Sequence, residues 1–272
     1  MPSIRPPLPP APPLPPTGLP RRAAAPPAAF EPLVLVPAFN HAPALGAVLA
    51  GLPAGTPALV VDDGSTDATG AVVTAAATRR ADLFRLRHAD NRGKAAALHT
   101  GFAWAMGRGF THAVTLDADG QHDPAAVPAM LAASAADRGS LVLGVRPGRL
   151  PGTPLRSAVG RSVSDRSVRL ACGLRVSDSQ TGMRVYPLAA VVRAGCTASR
   201  FGFETEVIVR CHRLGVRVVE VPVGGRYAVA TGRVTHFRPV ADSLRGLRLH
   251  ARLVAERLRG AGRRAADTPA AT

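Results

Sequence analysis

The sequence predicts an α/β protein built on a mostly parallel sheet flanked by helices. Three observations carry that expectation. Short runs rich in Val, Leu and Ala recur at 33–36, 59–61, 83–87, 113–116 and 141–145. Alanine-rich segments of helical length lie between them, near 43–51, 67–80, 94–107 and 125–136. Strand and helix alternating at that spacing read as βαβ units. Polar clusters also follow the strand ends, at 37–40, 62–67 and 117–123. In open sheets of this kind the ligand sits beyond the carboxyl ends of the strands.

The elements follow in order. Residues 1–32 are dominated by proline and alanine, as in PPLPPAPPLPP. Proline fixes φ and removes a backbone donor, so these residues are expected to form an extended or disordered arm. Residues 33–238 form the expected main domain. Its second half is less regular: a basic helix at 154–171, strands at 183–186 and 216–223, and a helix at 203–214 between them. Residues 239–272 are expected to be a basic amphipathic helix and tail.

Composition narrows the class. At 272 residues the chain suits one large domain with extensions. Its formal charge is +16, and of its 34 basic residues only Lys94 is a lysine. A general bias toward Ala, Arg, Pro and Gly accounts for such a charge, and so does a partner rich in phosphate. Cys172, Cys196 and Cys211 are odd in number and lack CxxC spacing, which argues against a disulfide framework or a zinc site and fits a reducing compartment. No run of about 18 apolar residues is present, so no transmembrane helix is expected. The first residues lack an apolar core, so no signal peptide is expected either. The expected location is the cytoplasm, at the inner face of the cell membrane.

Three motifs carry chemistry. In VVDDGSTD (60–67) a strand ends in two carboxylates and a turn; Gly64 permits the turn and Ser65 or Thr66 can cap the next helix. Asp62 and Asp63 point to opposite faces, so one can meet a ribose or base while the other braces the loop. NRGKAAAL (91–98) opens a helix, but the P-loop spacing is missing. The sharpest is LDADGQHD (116–123), which sets Asp117, Asp119 and Gln121 on alternate positions after an apolar run. On an extended segment those three oxygen-bearing groups face one way. Hard cations such as Mg²⁺ and Mn²⁺ take such oxygens. Haloacid-type phosphatases also use Asp-x-Asp, but with Thr or Val where Gln121 stands.

Together with 178–186 and 201–223, these motifs resemble family 2 glycosyltransferases, and most nearly dolichyl-phosphate mannosyltransferases and bacterial polyprenyl-phosphate sugar transferases. The likeness spans about 33–233 and comprises five ordered motifs. It implies the GT-A fold, a nucleotide-binding α/β domain with a mixed, mostly parallel sheet. It also implies roles by position. Pro37, Phe39 and His41 occupy the family's Pro-x-Tyr-Asn-Glu segment at the nucleoside, with Phe for Tyr and His for Glu. Val61 and Asp63 match the positions holding base and ribose. Asp117, Ala118 and Asp119 match the Asp-x-Asp element, with Asp117 and Asp119 as the catalytic pair; Asp119 and Gln121 match the metal ligands. Arg146 matches an arginine near the phosphates. Arg226 and Arg233 fall where the group clamps the diphosphate with an arginine and a lysine. Ser177–Tyr186 matches a segment near the acceptor side, where Asp178 and Gln180 can either position the sugar or order a loop.

The resemblance implies a hexose moved from a UDP- or GDP-sugar to a polyprenyl-phosphate acceptor, with inversion and with Mg²⁺ or Mn²⁺. A cation and arginines suit the charge that grows on a leaving diphosphate. A lipid phosphate arrives ionised and needs no strong base; for a glycan or lipid hydroxyl, Glu204 or Glu206 is the candidate base. At the C-terminus Val240, Leu244, Leu247, Ala251, Val254 and Leu258 form an apolar stripe, with Arg245, Arg248, Arg252 and Arg259 beside it. Such a helix suits an anionic bilayer or packing on the domain. The rival from another class is a non-catalytic basic protein on nucleic acid or membrane. Only 4% of residues are aromatic and no nucleic-acid motif is present, so no nucleic acid partner is expected.

Overall fold

The computed structural model describes residues 29–146, 155–200, 202–224 and 239–266. Residues 1–28 of the expected arm therefore lie outside the described residues, as do Arg226 and Arg233. Glu31 is already tied to the fold: its N–H donates to Thr111 Oγ1 at 3.0 Å.

Seven strands form one sheet in the order β3-β2-β1-β4-β6-β5-β7. They are β1 (Pro32–Ala38), β2 (Ala58–Asp62), β3 (Leu83–Arg87), β4 (His112–Thr115), β5 (Leu141–Val145), β6 (Arg184–Pro187) and β7 (Val218–Pro222). All are parallel except β6, which runs against both β4 and β5. The expected mixed, mostly parallel sheet is what forms. Pro37 is tolerated inside β1 because the ladder with β4 stops at Leu35–Thr115 and β1 runs on beside β2 alone.

The helices are α1 (Ala42–Ala50), α2 (Thr69–Ala77), α3 (Lys94–Met106), α4 (Val127–Ala136, after a 3₁₀ turn at Pro124–Ala126), α5 (Leu155–Cys172), α6 (Leu188–Ala194), α7 (Gly202–Arg213) and α8 (Pro239–Ala266). The α6 turn was not anticipated from the sequence. Alternate residues of β1 serve opposite faces, as the strand period requires. Leu33 and Leu35 join Leu98, Phe102, Phe203 and Ile208 in one core layer; Val34 and Val36 join Leu45, Val127 and Met130 in the other. Gly101 lets α3 approach β1, because a methyl group there would run into the Leu35 side chain.

Helix α8 packs on α5 and α7, and its buried residues are Leu249 and Leu253. Leu244, Leu247 and Leu258 of the stripe read from the sequence are exposed by 50–68%. Val254 of the same stripe is partly buried against the core, so the stripe is divided between the two sides of the helix. Among the described residues no helix is long and apolar enough to cross a membrane.

Candidate active site

Chain order reverses between β1 and β4: β2 and β3 step away to one side, β4 to the other. In open sheets of this kind a ligand lies at such a switch point, beyond the carboxyl ends of the strands. The segments that follow β1, β2 and β4 leave the sheet at that end.

Beyond β4 the chain alternates as expected. Leu116 and Ala118 are buried, whereas Asp117, Asp119 and Gln121 are partly exposed. The Gln121 N–H donates to Asp119 Oδ1 at 3.0 Å and its Nε2 to Oδ2 at 2.7 Å. Only the amide oxygen of Gln121 is then left to face a cation. Asp117 turns to a different partner, the ammonium of Lys94 at 2.5 Å. Burial works against the Asp117 charge, but Lys94, His122 and His41 outweigh it and hold the carboxyl below its ordinary range. His41 therefore stands within electrostatic reach of the acidic pair. His122, directly after Gln121, is buried, and desolvation holds its imidazole below the usual value against the pull of Asp117.

The two carboxylates at the end of β2 divide as their opposite directions require. Asp63 is 2% exposed and accepts from the backbone N–H of Arg92 at 3.0 Å and Gly93 at 2.6 Å, with His88 Nδ1 at 2.6 Å. It thus anchors the segment leading into α3. Asp62 Oδ1 accepts from the Ser65 N–H at 2.9 Å. Ser65 in turn accepts from the Asn40 N–H at 3.0 Å, and Asn40 Oδ1 takes the Thr66 N–H at 2.8 Å. Asn40 sits at φ 53, a conformation that a short amide side chain tolerates. The Pro37, Phe39 and His41 stretch is therefore clipped to the β2–α2 loop. Val61 and Ala118 place their side chains in the core.

Arg146 is partly exposed at the end of β5 and donates through Nη2 to Asp178 Oδ2 at 2.8 Å. Arg161 of α5 approaches the same buried carboxylate at 3.7 Å. The structure thus places Pro37, Phe39, His41, Asp63, Asp117, Asp119 and Gln121 at or just beyond the carboxyl ends of β1, β2 and β4 and ties Arg146 to the 177–183 loop. Arg226 and Arg233, expected at the diphosphate, lie outside the described residues.

Three functional contributors were missed in the sequence. Lys94 also reaches Glu204 Oε1 at 2.9 Å, joining α3, β4 and α7. Gly182 lies against Asp117, where any side chain would overlap the carboxylate. Arg184 is fully buried and donates to the carbonyls of Thr181 at 2.8 Å, Ser179 at 2.8 Å and Glu204 at 2.6 Å. It holds the loop that carries Gly182. The solitary lysine in an arginine-rich chain was the one available signal. Glu206 accepts from Thr197 N, Ala198 N, Arg210 and Arg252 at 2.6–2.7 Å, whereas Glu204 is paired through Oε1 alone and its buried Oε2 has no hydrogen-bond partner among the described residues. Among the described residues no cluster of three His, Cys, Asp or Glu forms a metal cage. A cation would find the oxygens of Asp119, Gln121 and Asp117, a set chemically suited to Mg²⁺ or Mn²⁺.

A sheet of this topology with an acidic pair at its switch point defines a GT-A glycosyltransferase. The chain belongs to glycosyl transferase family 2, whose family model matches residues 33–200. It is 31% identical over 205 residues to the undecaprenyl-phosphate mannosyltransferase of Micrococcus luteus, covering 70% of this chain and 82% of that one. It is 30% identical over 202 residues to the polyprenol monophosphomannose synthase of Mycolicibacterium smegmatis, covering 70% and 76%. Among solved structures, the mannosyltransferase PcManGT of Pyrobaculum calidifontis, in complex with GDP-Man and Mn²⁺, superposes with a TM-score of 0.57 at 19% identity. That match covers 84% of this chain and 64% of the longer one, and at such identity it speaks to the fold. The chain is thus an enzyme, which sets aside the rival of a non-catalytic basic protein.

Proposed function

We propose that the protein transfers a hexose from a nucleotide-diphosphate sugar to a polyprenyl phosphate, with a divalent cation and inversion at the anomeric carbon. The observation that carries this reading is the ion pairing of Glu204. Glu204 and Asp117 both sit on Lys94, and Glu206 on Arg210 and Arg252, so each of these carboxylates already has a cation partner in place of an acceptor hydroxyl. Such a site suits an acceptor that arrives already ionised. A hydroxyl acceptor, the second reading, would require Glu204 to leave its lysine.

In this reading Pro37, Phe39 and His41 form the nucleoside side, with the core residue Val61 contributing through its backbone and Asp63 through the loop it anchors. Asp117, Ala118 and Asp119 lie at the diphosphate. Asp119 and the Gln121 amide oxygen, with Asp117 beside them, would hold Mg²⁺ or Mn²⁺, which neutralises charge on the leaving diphosphate when bound. Arg146, Arg226 and Arg233 add positive charge there. The acceptor phosphate oxygen attacks the anomeric carbon from the face opposite the nucleotide. The bond to the diphosphate breaks and its electron pair leaves with the nucleotide, so no proton need be removed.

A cavity of about 660 Å³ between α5, the 197–202 segment and α8 supports an amphiphilic acceptor. Its walls include Val163, Leu247 and Leu249 together with Arg200, Arg245 and Arg248, and among the described residues no carboxylate lines it. The outward leucines of α8 suit the inner face of an anionic membrane.

The test has two stages. Thermal shifts with UDP, GDP and their sugars, with and without Mn²⁺, identify the donor, since a ligand of the native state raises the melting temperature. Transfer is then compared for a polyprenyl phosphate and the matching polyprenol. Transfer to the alcohol alone overturns the phosphate assignment, and Asp119→Ala with undiminished metal-dependent turnover overturns the metal assignment.

A further inference from the structure

We propose that Lys94 is the positioning cation of the active site: its ammonium fixes where Asp117 sits, and only an ammonium fits the slot. The inference rests on the reading above for what Asp117 serves, and on geometry for the rest. Nζ lies 2.5 Å from Asp117 Oδ1 and 2.9 Å from Glu204 Oε1. One nitrogen thus bridges two carboxylates that arrive on different elements, one past β4 and one in the first turn of α7. Without a cation between them those carboxylates would repel each other.

The slot is closed on several sides. Lys94 is the first residue of α3, and the preceding Gly93 is fixed at φ 91 with its N–H on Asp63. Arg200 packs against Gly93, and a methyl group on Gly93 would come within 3.1 Å of it. On the far side of Asp117 stands Gly182, with no room for a side chain. A compact ammonium with three rotatable donors can sit between two oxygens there; a planar guanidinium is longer and presents a fork. Composition argues the same way. The chain has 33 arginines and one lysine. Whatever favours arginine at every other basic position has not done so at this one.

The solitary lysine also supplies the assay. The full chain grown with lysine labelled at Cε and Nζ gives one side-chain resonance, that of Lys94, without further assignment. We expect that line to stand apart from free lysine, to move in both Asp117→Asn and Glu204→Gln, and to broaden when Mn²⁺ is added with UDP or GDP. A line at the free-lysine position that ignores Asp117→Asn overturns the proposal, whatever the enzyme's activity. In kinetics, Lys94→Arg is expected to lose about 100-fold or more in kcat/KM, the scale of a misplaced electrostatic group. Lys94→Ala should regain at least about tenfold with propylammonium and nothing with tetramethylammonium, since the slot requires N–H donors as well as charge. Lys94→Arg within threefold of the parent overturns the proposal. A parent that transfers no sugar to any acceptor overturns the functional reading instead, and the resonance still decides the role of Lys94.

Discussion

Gly182 and Asp117 are in direct contact: a methyl group on the glycine would occupy the space of Asp117 Oδ2. The loop before β6 therefore acts as a backstop for the acidic pair. The Thr115 hydroxyl donates to the Gly182 carbonyl at 2.7 Å and fixes the two segments together. Gly182→Ala should push the carboxylate aside while leaving the sheet intact. A loss of roughly 100-fold in kcat/KM is expected from a displacement on the ångström scale, with the circular dichroism spectrum unchanged. Wild-type turnover in that variant would show that Asp117 tolerates movement.

Asp63 carries a stability prediction. Its carboxylate takes the N–H groups of Arg92 and Gly93 in a site only 2% exposed. Asp63→Ala leaves both donors without an acceptor, which costs about 2–4 kcal/mol when such groups stay buried. Urea unfolding should show a lower midpoint with an unchanged slope. Asp67→Ala, at an exposed cap of the neighbouring loop, serves as the control and should move the midpoint far less.

The pH dependence of stability follows from the histidines. Desolvation lowers His112, against the pull of its bond to the Arg138 carbonyl, and also lowers His99 and His250. A lowered folded value means that the unfolded chain binds the proton that the folded one refuses. Stability is therefore full above the ordinary value near 6.5 and falls as the pH drops below it, levelling off once the folded value is passed. Calorimetric melting temperatures at pH 7.5, 6.5 and 5.5 should decline in that order. His112→Asn should flatten the slope in this window, and an unchanged slope would assign the effect elsewhere.

The outward face of α8 makes the membrane proposal measurable. Leu244 and Leu258 are exposed by 50% and 68%. Burying a leucine is worth about 1.5–3 kcal/mol, so Leu244→Ser with Leu258→Ser should weaken sedimentation with anionic vesicles by roughly tenfold or more. Transfer to a short, detergent-dispersed acceptor should keep its rate. Equal vesicle binding by parent and variant would remove α8 from the membrane.

The sheet and the acidic pair were legible because local signals write them. Apolar runs of strand length gave β1 to β5, and Asp117, Asp119 and Gln121 showed their alternation directly. What joins them was not legible. Lys94, Asp117, Gly182, Arg184 and Glu204 are spread over more than a hundred positions, and no periodicity links them. Gly182 looks like an ordinary turn residue until its neighbour is known. In α8 the spacing pointed to Leu244 and Leu247, but Leu249 and Leu253 are the ones in the core. The stripe had the right period, yet the period cannot say which side the domain occupies. Arg226 and Arg233 remain assigned by resemblance.

The lone antiparallel strand has a further consequence. Because β6 runs against β4 and β5, the chain entering it reaches the same rim as the chains leaving β1, β2, β4 and β5. One rim is thus assembled from both halves of the sequence: the departures from β1, β2, β4, β5 and β7 and the arrival at 177–183. Because β6 is threaded between β4 and β5, the two halves share that rim and cannot be exchanged separately. Grafting residues 147–272 from a relative would also replace the glycine behind Asp117 and the Glu204 partner of Lys94, so any such chimaera must preserve both.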